Sequence, residues 1–369
     1  MKNPAVTVLM PVHNGGSYLP EAVESILAQT LKDFEYIIVD DASTDQTVSY
    51  LQTLKDPRVR VLRSEKRLRL AGALNLGLDH AVGEWIARMD ADDISLPDRL
   101  SRQLDFLAQH PEVGLCGGRV KHFGLNTSRF YGLPQSYDDV KSSALFYNPI
   151  YHPTVIMKRD LLERYNLRYD PDLCPADDYD LWIRAMRHFP AMNMNRVLLL
   201  YRTHGRSLTS MEWTDMDAHS SRVAARELRC LGLDVDAETA RFHRNIGRIG
   251  CMKICDISDL QRAERWLHCL LAANDRMKYY SQEAFRRAVS DVWYRVCYHA
   301  SALGFKSLKS YQQSTLRYMK PQGVKGDMAL LKNALWATIS DPRAVRFFKK
   351  TSRPVKGIGS IENECNDKR

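Results

Sequence analysis

The chain has 369 residues, is 44% hydrophobic and 26% charged, and carries a net charge of +9. That length suits about two domains with a large core, and the composition is ordinary for a soluble globular protein. No apolar run reaches the roughly 18 to 20 residues that span a bilayer, and the start, Met1-Lys2-Asn3-Pro4-Ala5-Val6, lacks the apolar core of a signal peptide. These features predict a cytoplasmic protein.

Taken in order, the first half alternates strand and helix. Val6 to Met10 is a β-branched strand ended by Pro11. Tyr18 to Thr30 places Leu19, Ala22, Val23, Ile26 and Leu27 at helical spacing. Phe34 to Val39 is a second strand, and Asp45 to Leu54 a helix capped by Ser43, Thr44 or Asp45. Val59 to Leu62 is a third strand, Ala71 to Ala81 a helix, and Glu84 to Ala87 a buried strand. A helix over 96–109, a strand over 113–120, a strand around Thr154-Val155-Ile156-Met157, a helix over 179–187 and a strand over 197–201 complete the pattern. Such alternation predicts an α/β fold with a mostly parallel central sheet flanked by helices, and ligands at the carboxyl ends of its strands. After about Ser210 the pattern is helical, which places a boundary near residue 212. The divisions expected are 1–212, a basic helical region 213–351 and a disordered tail 352–369.

Eight cysteines are scattered without a Cys-x-x-Cys pair. Cys251 and Cys255 sit four apart on a predicted helix, a spacing that fits core packing better than zinc, so reduced thiols are expected. Charge is uneven: net −2 up to Thr214 and +11 from Asp215 onward. The basic half suits an anionic partner.

Five motifs carry chemistry. Met10-Pro11-Val12-His13-Asn14-Gly15 is a turn that brings backbone close to a ligand but lacks the spacing of a dinucleotide fingerprint or P-loop. Val39-Asp40-Asp41-Ala42-Ser43 ends a buried strand with paired carboxylates, which are costly to bury unless something pairs with them. Arg88-Met89-Asp90-Ala91-Asp92-Asp93 puts hard oxygens where a strand leaves the sheet, a donor set for Mg²⁺ or Mn²⁺ and hence for a diphosphate. Asp177-Asp178-Tyr179-Asp180-Leu181-Trp182 sets three acids at a helix head, as a general base or as simple partners of the helix dipole. Tyr201-Arg202-Thr203-His204-Gly205-Arg206 supplies cationic donors and an imidazole after the last strand.

In that order, and with Tyr151-His152-Pro153-Thr154 between them, these motifs resemble the family 2 inverting glycosyltransferases of the GT-A fold. The resemblance spans roughly residues 5 to 210. It implies a nucleotide-sugar donor, usually a UDP-sugar, a divalent cation (Mn²⁺ or Mg²⁺), and a glycan or lipid-linked acceptor of bacterial surface polysaccharide synthesis. Carried across, Pro11, Val12 and Asn14 line the nucleotide site, and Asp41 holds the base with Asp40 nearby. Arg69 and Asn75 lie near the nucleotide. Asp90 and Ala91 face the ribose or donor sugar, Asp92 ligates the metal, His204 approaches metal or diphosphate, and Asp178 is the general base. His152 lies near the acceptor cleft, and Arg202 or Arg206 helps with the diphosphate charge. Asp177 stands where many relatives have Glu. Ala42 stands where they often have Gly, which is tolerable unless the backbone needs positive φ.

A nucleotidyltransferase would also use Asp-x-Asp and a metal, but has no need of an acidic helix head. A non-catalytic carbohydrate-binding module needs no base. Nucleic acid is not expected as a partner. Leu330 to Lys350, apolar among basic residues and broken at Asp341-Pro342, suits peripheral contact with an anionic membrane as well as core packing.

Overall fold

The computed structural model describes residues 3–124, 132–205, 213–248, 254, 256–300, 303–319 and 323–340. Its centre is an eight-stranded sheet in the order β3-β2-β1-β4-β7-β6-β8-β5. The strands are β1 (Val6–Val12), β2 (Phe34–Asp41), β3 (Val59–Ser64), β4 (Trp85–Arg88), β5 (Ile94–Ser95), β6 (Leu115–Gly124), β7 (Ile156–Lys158) and β8 (Ala191–Thr203). Pairings β1·β2, β1·β4, β2·β3 and β6·β8 are parallel, while β7 runs antiparallel to β4 and β6, and β5 to β8. The fold is therefore mixed α/β and mostly parallel, as the alternation predicts.

Helices α1 (Leu19–Leu27), α2 (Thr47–Thr53), α3 (Arg69–His80) and α4 (Arg99–Gln109) cover it. Every side chain of β1 is buried, the mark of a strand packed on both faces. Leu19, Ala22, Val23 and Ile26 of α1 pack with Val6, Val8, Met10 and Val12. On the opposite face Leu9 packs with Ile37, Val39 and α3 residues Ala71, Leu74 and Leu78. Gly77 lets α3 lie this close, since a Cβ there would stand 2.1 Å from Leu9 Cδ1.

Strand β1 does not end at Pro11 but runs through it, pairing Pro11 with Val39. The Leu9 carbonyl faces the β4 side, where it accepts the Met89 N–H at 3.0 Å. By two-residue alternation Pro11 turns its missing donor to that same side, past the end of the β4 ladder at Leu9. Strand β8 starts at Ala191, earlier than the expected Val197, because buried Asn193 spends its amide on the carbonyls of Pro134 and Pro149 at 2.8 and 3.0 Å. Three further helices are α5 (Tyr137–Ala144), α6 (Arg159–Arg164) and α7 (Asp177–Ala185). The first two were not legible in the apolar spacing; α7 is the acidic helix.

Among the described residues six α-helices follow: α8 (Trp213–Cys230), α9 (Ala237–Gly247), α10 (Ile257–Met277), α11 (Gln282–His299), α12 (Phe305–Gln313) and α13 (Gly323–Ser340). They build a second core around Leu267, Leu270, Phe285 and Trp293 that also takes in Leu145 and Phe146. Val223 of α8 enters the first core in return. Asp180, fully buried, pairs with Arg184 at 2.7 Å and with Arg226 of α8, so the third acid of α7 ties α8 to α7. The expected boundary near 212, Cys251, Cys255, Arg206 and everything from 341 onward lie outside the described residues. No described helix is long and apolar enough to cross a membrane.

Ala42 sits at φ +56°, so the positive φ that favours glycine is present. Left-handed backbone costs an L-residue roughly 1–2 kcal/mol, against about 0.4–1 kcal/mol of extra unfolded-chain entropy for glycine. Ala42→Gly is therefore expected to stabilise the fold by roughly 0.5–1 kcal/mol, read from the midpoint of urea denaturation; an unchanged or lowered midpoint contradicts this.

Candidate active site

The carboxyl ends of β1, β2 and β4 and the end of β8 open into one cleft of about 1580 Å³. Pro11, Val12, Asn14, Asp41, Arg69, Asp90, Ala91, Asp92, Asp178 and His204 all line it. Residues separated by up to 193 positions thus meet in a single hollow.

Two expected residues do not reach it. Asp40 alternates to the other side of β2 from Asp41 and is buried, where Oδ1 accepts the Ser43 N–H at 3.0 Å and Arg63 Nε lies 3.6 Å from Oδ2. Asn75 clips the backbone of Tyr169, donating to its carbonyl at 2.8 Å and accepting from its N–H at 2.9 Å. Neither is among the cleft-lining residues.

At the β1–β2 end the two loops are tied crosswise. Ser43 Oγ accepts the Asn14 N–H at 3.0 Å, and Asn14 Oδ1 accepts the Thr44 N–H at 2.8 Å. Ser43 and Thr44 therefore do not cap α2; Asp45 Oδ1 accepts the Thr47 N–H at 3.0 Å instead. Asp41 is buried, accepts the Leu68 N–H at 2.6 Å and pairs with the half-exposed Arg67. Arg67 lines the cleft but carried no signal in the sequence beyond its charge. Asn14, Ala42 and Arg69 all hold positive φ, at +51°, +56° and +60°. Strained backbone concentrates where a ligand must be approached closely.

The second group follows β4. Asp90, Asp92 and Asp93 each offer a carboxylate oxygen within 4.8 Å of the others. His204 Nε2 lies 2.8 Å from Asp92 Oδ2. Asp93, not singled out by the sequence reading, is buried; its Oδ1 accepts the Arg202 N–H at 2.8 Å and its Oδ2 has no hydrogen-bond partner. Burial, then the charges of Asp90 and Asp92, push the Asp93 carboxyl well above its usual range; burial and Asp92 likewise raise Asp90. An orphaned buried oxygen beside mutually repelling carboxylates is a donor set that fits a hard divalent cation. Arg202 is not free for a diphosphate. Its Nε donates to the Asp92 carbonyl at 2.7 Å, its Nη2 pairs with Glu21, and its guanidinium lies over the rings of Tyr18 and Phe123 at 4.6 and 4.4 Å. It braces the acidic loop against α1.

The third group is the head of α7. Asp178 Oδ2 accepts from Asn148 Nδ2 at 2.8 Å, and Oδ1 accepts the Tyr179 N–H at 2.6 Å. His152 Nδ1 stands 3.9 Å from Asp178 Oδ2, while its Nε2 meets the Tyr169 hydroxyl at 3.0 Å. Burial, then the positive charge of Arg88, hold the His152 imidazole neutral, well below its usual value. Burial pushes Asp178 up to about 6. Burial and the neighbouring Asp178 charge push Asp177 to about 7. Between the acidic groups lies Arg88, buried and paired with Asp90, its Nε without a partner.

A carboxyl raised in the folded state favours folding in its protonated form, and that advantage is lost as pH climbs through the folded value. Asp177, buried with an unpartnered Oδ2, should therefore weaken the fold between about pH 4 and pH 7. Asp177→Asn is expected to gain roughly 2–4 kcal/mol of stability at pH 8 and little at pH 4, measured by denaturation at both values. An equal effect at the two pH values contradicts the burial of its charge.

The family described as Glycosyl transferase family 2 matches residues 7–165. The amylovoran biosynthesis glycosyltransferase AmsE of Erwinia amylovora is 34% identical over 189 residues, covering 50% of this chain and 70% of that protein. In fold, S. aureus TarS 1-349 in complex with UDP-GlcNAc aligns with TM-score 0.51 at 17% identity over 90% of this chain and 91% of that one. The mannosyltransferase PcManGT of Pyrobaculum calidifontis, in complex with GDP-Man and Mn²⁺, aligns with TM-score 0.51 at 19% identity over 91% and 87%.

Proposed function

The chain belongs to glycosyltransferase family 2, and we propose that it transfers a sugar, with inversion, from a nucleotide-sugar to an acceptor hydroxyl. The reading rests on one observation above all: Asp41, Asp92 and Asp178 line a single cleft. The donor we assign is a UDP-sugar, in keeping with the UDP-GlcNAc bound by TarS. The acceptor we assign is a glycan or lipid-linked glycan of surface polysaccharide synthesis in the cytoplasm, by kinship with a polymer-building relative. Family membership displaces the nucleotidyltransferase reading.

In this reading Asp41 accepts a hydrogen bond from the base, exchanging part of its pairing with Arg67, while Pro11, Val12, Asn14 and Arg69 frame the nucleotide. Asp40 and Asn75 act one layer back, as the clips of the β2 end and of the Tyr169 segment. Asp90 and Ala91 face the ribose or donor sugar. Asp92, with Asp93 and His204, would hold Mn²⁺ or Mg²⁺, which when bound neutralises the charge that develops on the departing diphosphate. Arg202 keeps those ligands in place through the Asp92 carbonyl and Asp93 carboxylate.

The acceptor hydroxyl is a poor nucleophile while protonated. Asp178 takes its proton as the new bond to the anomeric carbon forms. Its raised value of about 6 makes it a stronger base than a solvent carboxylate while leaving it ionised at neutral pH. Asn148 and the Tyr179 N–H fix the carboxylate, and neutral His152 beside it does not compete for the negative charge. Asp177, at about 7, retains a proton through part of the working range and spares the site a second anion.

Asp178→Asn is expected to lower kcat by about 10²- to 10⁴-fold with donor affinity preserved, measured by radiolabelled sugar transfer beside donor titration. Normal turnover would refute the assignment. Wild-type kcat/KM should rise with pH through the region near 6 and this limb should vanish in the variant; a limb that persists belongs to another group. Chelation by EDTA is expected to stop transfer and added Mn²⁺ or Mg²⁺ to restore it, whereas full activity in chelator removes Asp92 as a ligand.

A further inference from the structure

The net positive charge of the chain is concentrated in one segment. Between Leu303 and Lys350 stand ten basic residues and only two acidic ones, Asp327 and Asp341. Asp327 is already matched by Arg317 at 2.8 Å. The same segment holds half of the large apolar side chains that the described structure leaves in water: Phe305, Tyr318, Met328, Leu335 and Trp336.

On α13 these form a stripe. Leu330 and Ala334 are buried in the second core, while Met328, Lys332, Leu335 and Trp336 are exposed. Their spacing of i, i+4, i+7 and i+8 places them along one side of the helix. Trp336 is 73% exposed, an extent that core packing of the helix does not explain. Folding leaves the apolar area of this indole in water. The exposed charged neighbours on α12, Lys306 and Lys309, are both positive.

We propose that this face of α13 docks on an anionic phospholipid surface. Trp, Leu and Met entering the interface beside lysines that meet lipid phosphates is the pattern of an interfacial helix, and clustered lysine and arginine add attraction for anionic lipid. Charge argues against the other occupants. A second copy seated here across a two-fold axis would set Lys332 and its basic surroundings against themselves. The sequence immediately after, Pro342 to Lys350, carries Arg343, Arg346, Phe347, Phe348, Lys349 and Lys350, so it repeats the character of the face rather than complementing it. A docked enzyme would meet a lipid-linked acceptor at the bilayer surface, which is the sense in which this inference leans on the proposed function.

The test reads lipid binding alone, so its outcome is separate from that of the transfer reaction. The full chain is floated with phosphatidylcholine vesicles with and without phosphatidylglycerol, in low and high salt. Binding is expected to the anionic vesicles, to weaken in high salt, and to fall roughly ten-fold or more in Leu335→Ser/Trp336→Ser. Lys332→Glu, which leaves Leu335 and Trp336 in place, is expected to weaken binding several-fold, and it keeps the test decisive should the double variant fold poorly. Absence of flotation, equal flotation on both vesicle types, or full binding by the variants overturns the proposal. So does a wild-type dimer in sedimentation velocity that the double variant converts to monomer without any vesicle binding, which assigns the face to a second copy.

Discussion

A buried cation, Arg88, backed by the buried Arg99, organises the acidic cleft. Arg88 lies at the end of β4, almost wholly out of water, and among the described residues Asp90 is its direct ion partner. Its charge lowers the proton affinity of Asp90 and Asp93 on one side and of Asp177 and Asp178 on the other, and it adds to the burial that keeps His152 neutral. A guanidinium is expensive to desolvate and resists deprotonation, so the carboxylates around it must supply the compensation. The result is a site in which four acids can be crowded without all of them becoming protonated. Burial still wins at all four, which remain raised, and a raised carboxylate is the kind of group that suits a proposed base.

Around this electrostatic frame the backbone is held by short crosswise ties rather than by regular structure. Asn14 and Ser43 lock the first two strand ends together, Asn75 fixes the segment leading to Tyr169, and Arg202 braces the acidic loop against α1. Several of these residues look like ligand contacts in a sequence because they are polar and sit at strand ends. The polar atoms of Asn75 and Arg202 are spent on other segments, which holds the lining of the cleft in place. The positive φ values at Asn14, Ala42 and Arg69 are the cost of bending those loops toward the cleft.

The sheet, its parallel core and the helix cover were legible because apolar periodicity reports burial directly, as in α1 and β1. The lining of the cleft was legible at Asp41, Asp92, Asp178 and His204, where charge at the end of a buried strand or the head of a helix leaves few structural uses. It was not legible at Asp40 and Asn75, because adjacent strand positions face opposite ways and an amide serves backbone as readily as ligand. Arg67, Arg88 and Asn148 gave no signal: their partners lie 26, 2 and 30 residues away, and only the folded chain shows which partner each takes. Asp93 was within view, one residue past the Asp-x-Asp, but its orphaned oxygen is a property of burial. The start of β8 was hidden by Asn193, whose buried amide does the work expected of an apolar residue.

The account requires that a carboxylate accept the acceptor's proton while the sugar's diphosphate departs on the side of Asp92. Stereochemistry reports this most directly. Proton NMR of the newly formed product, recorded before mutarotation or hydrolysis intervenes, should show the anomeric configuration opposite to that of the donor. A product that retains the donor's configuration would contradict direct displacement, and with it the role given to Asp178.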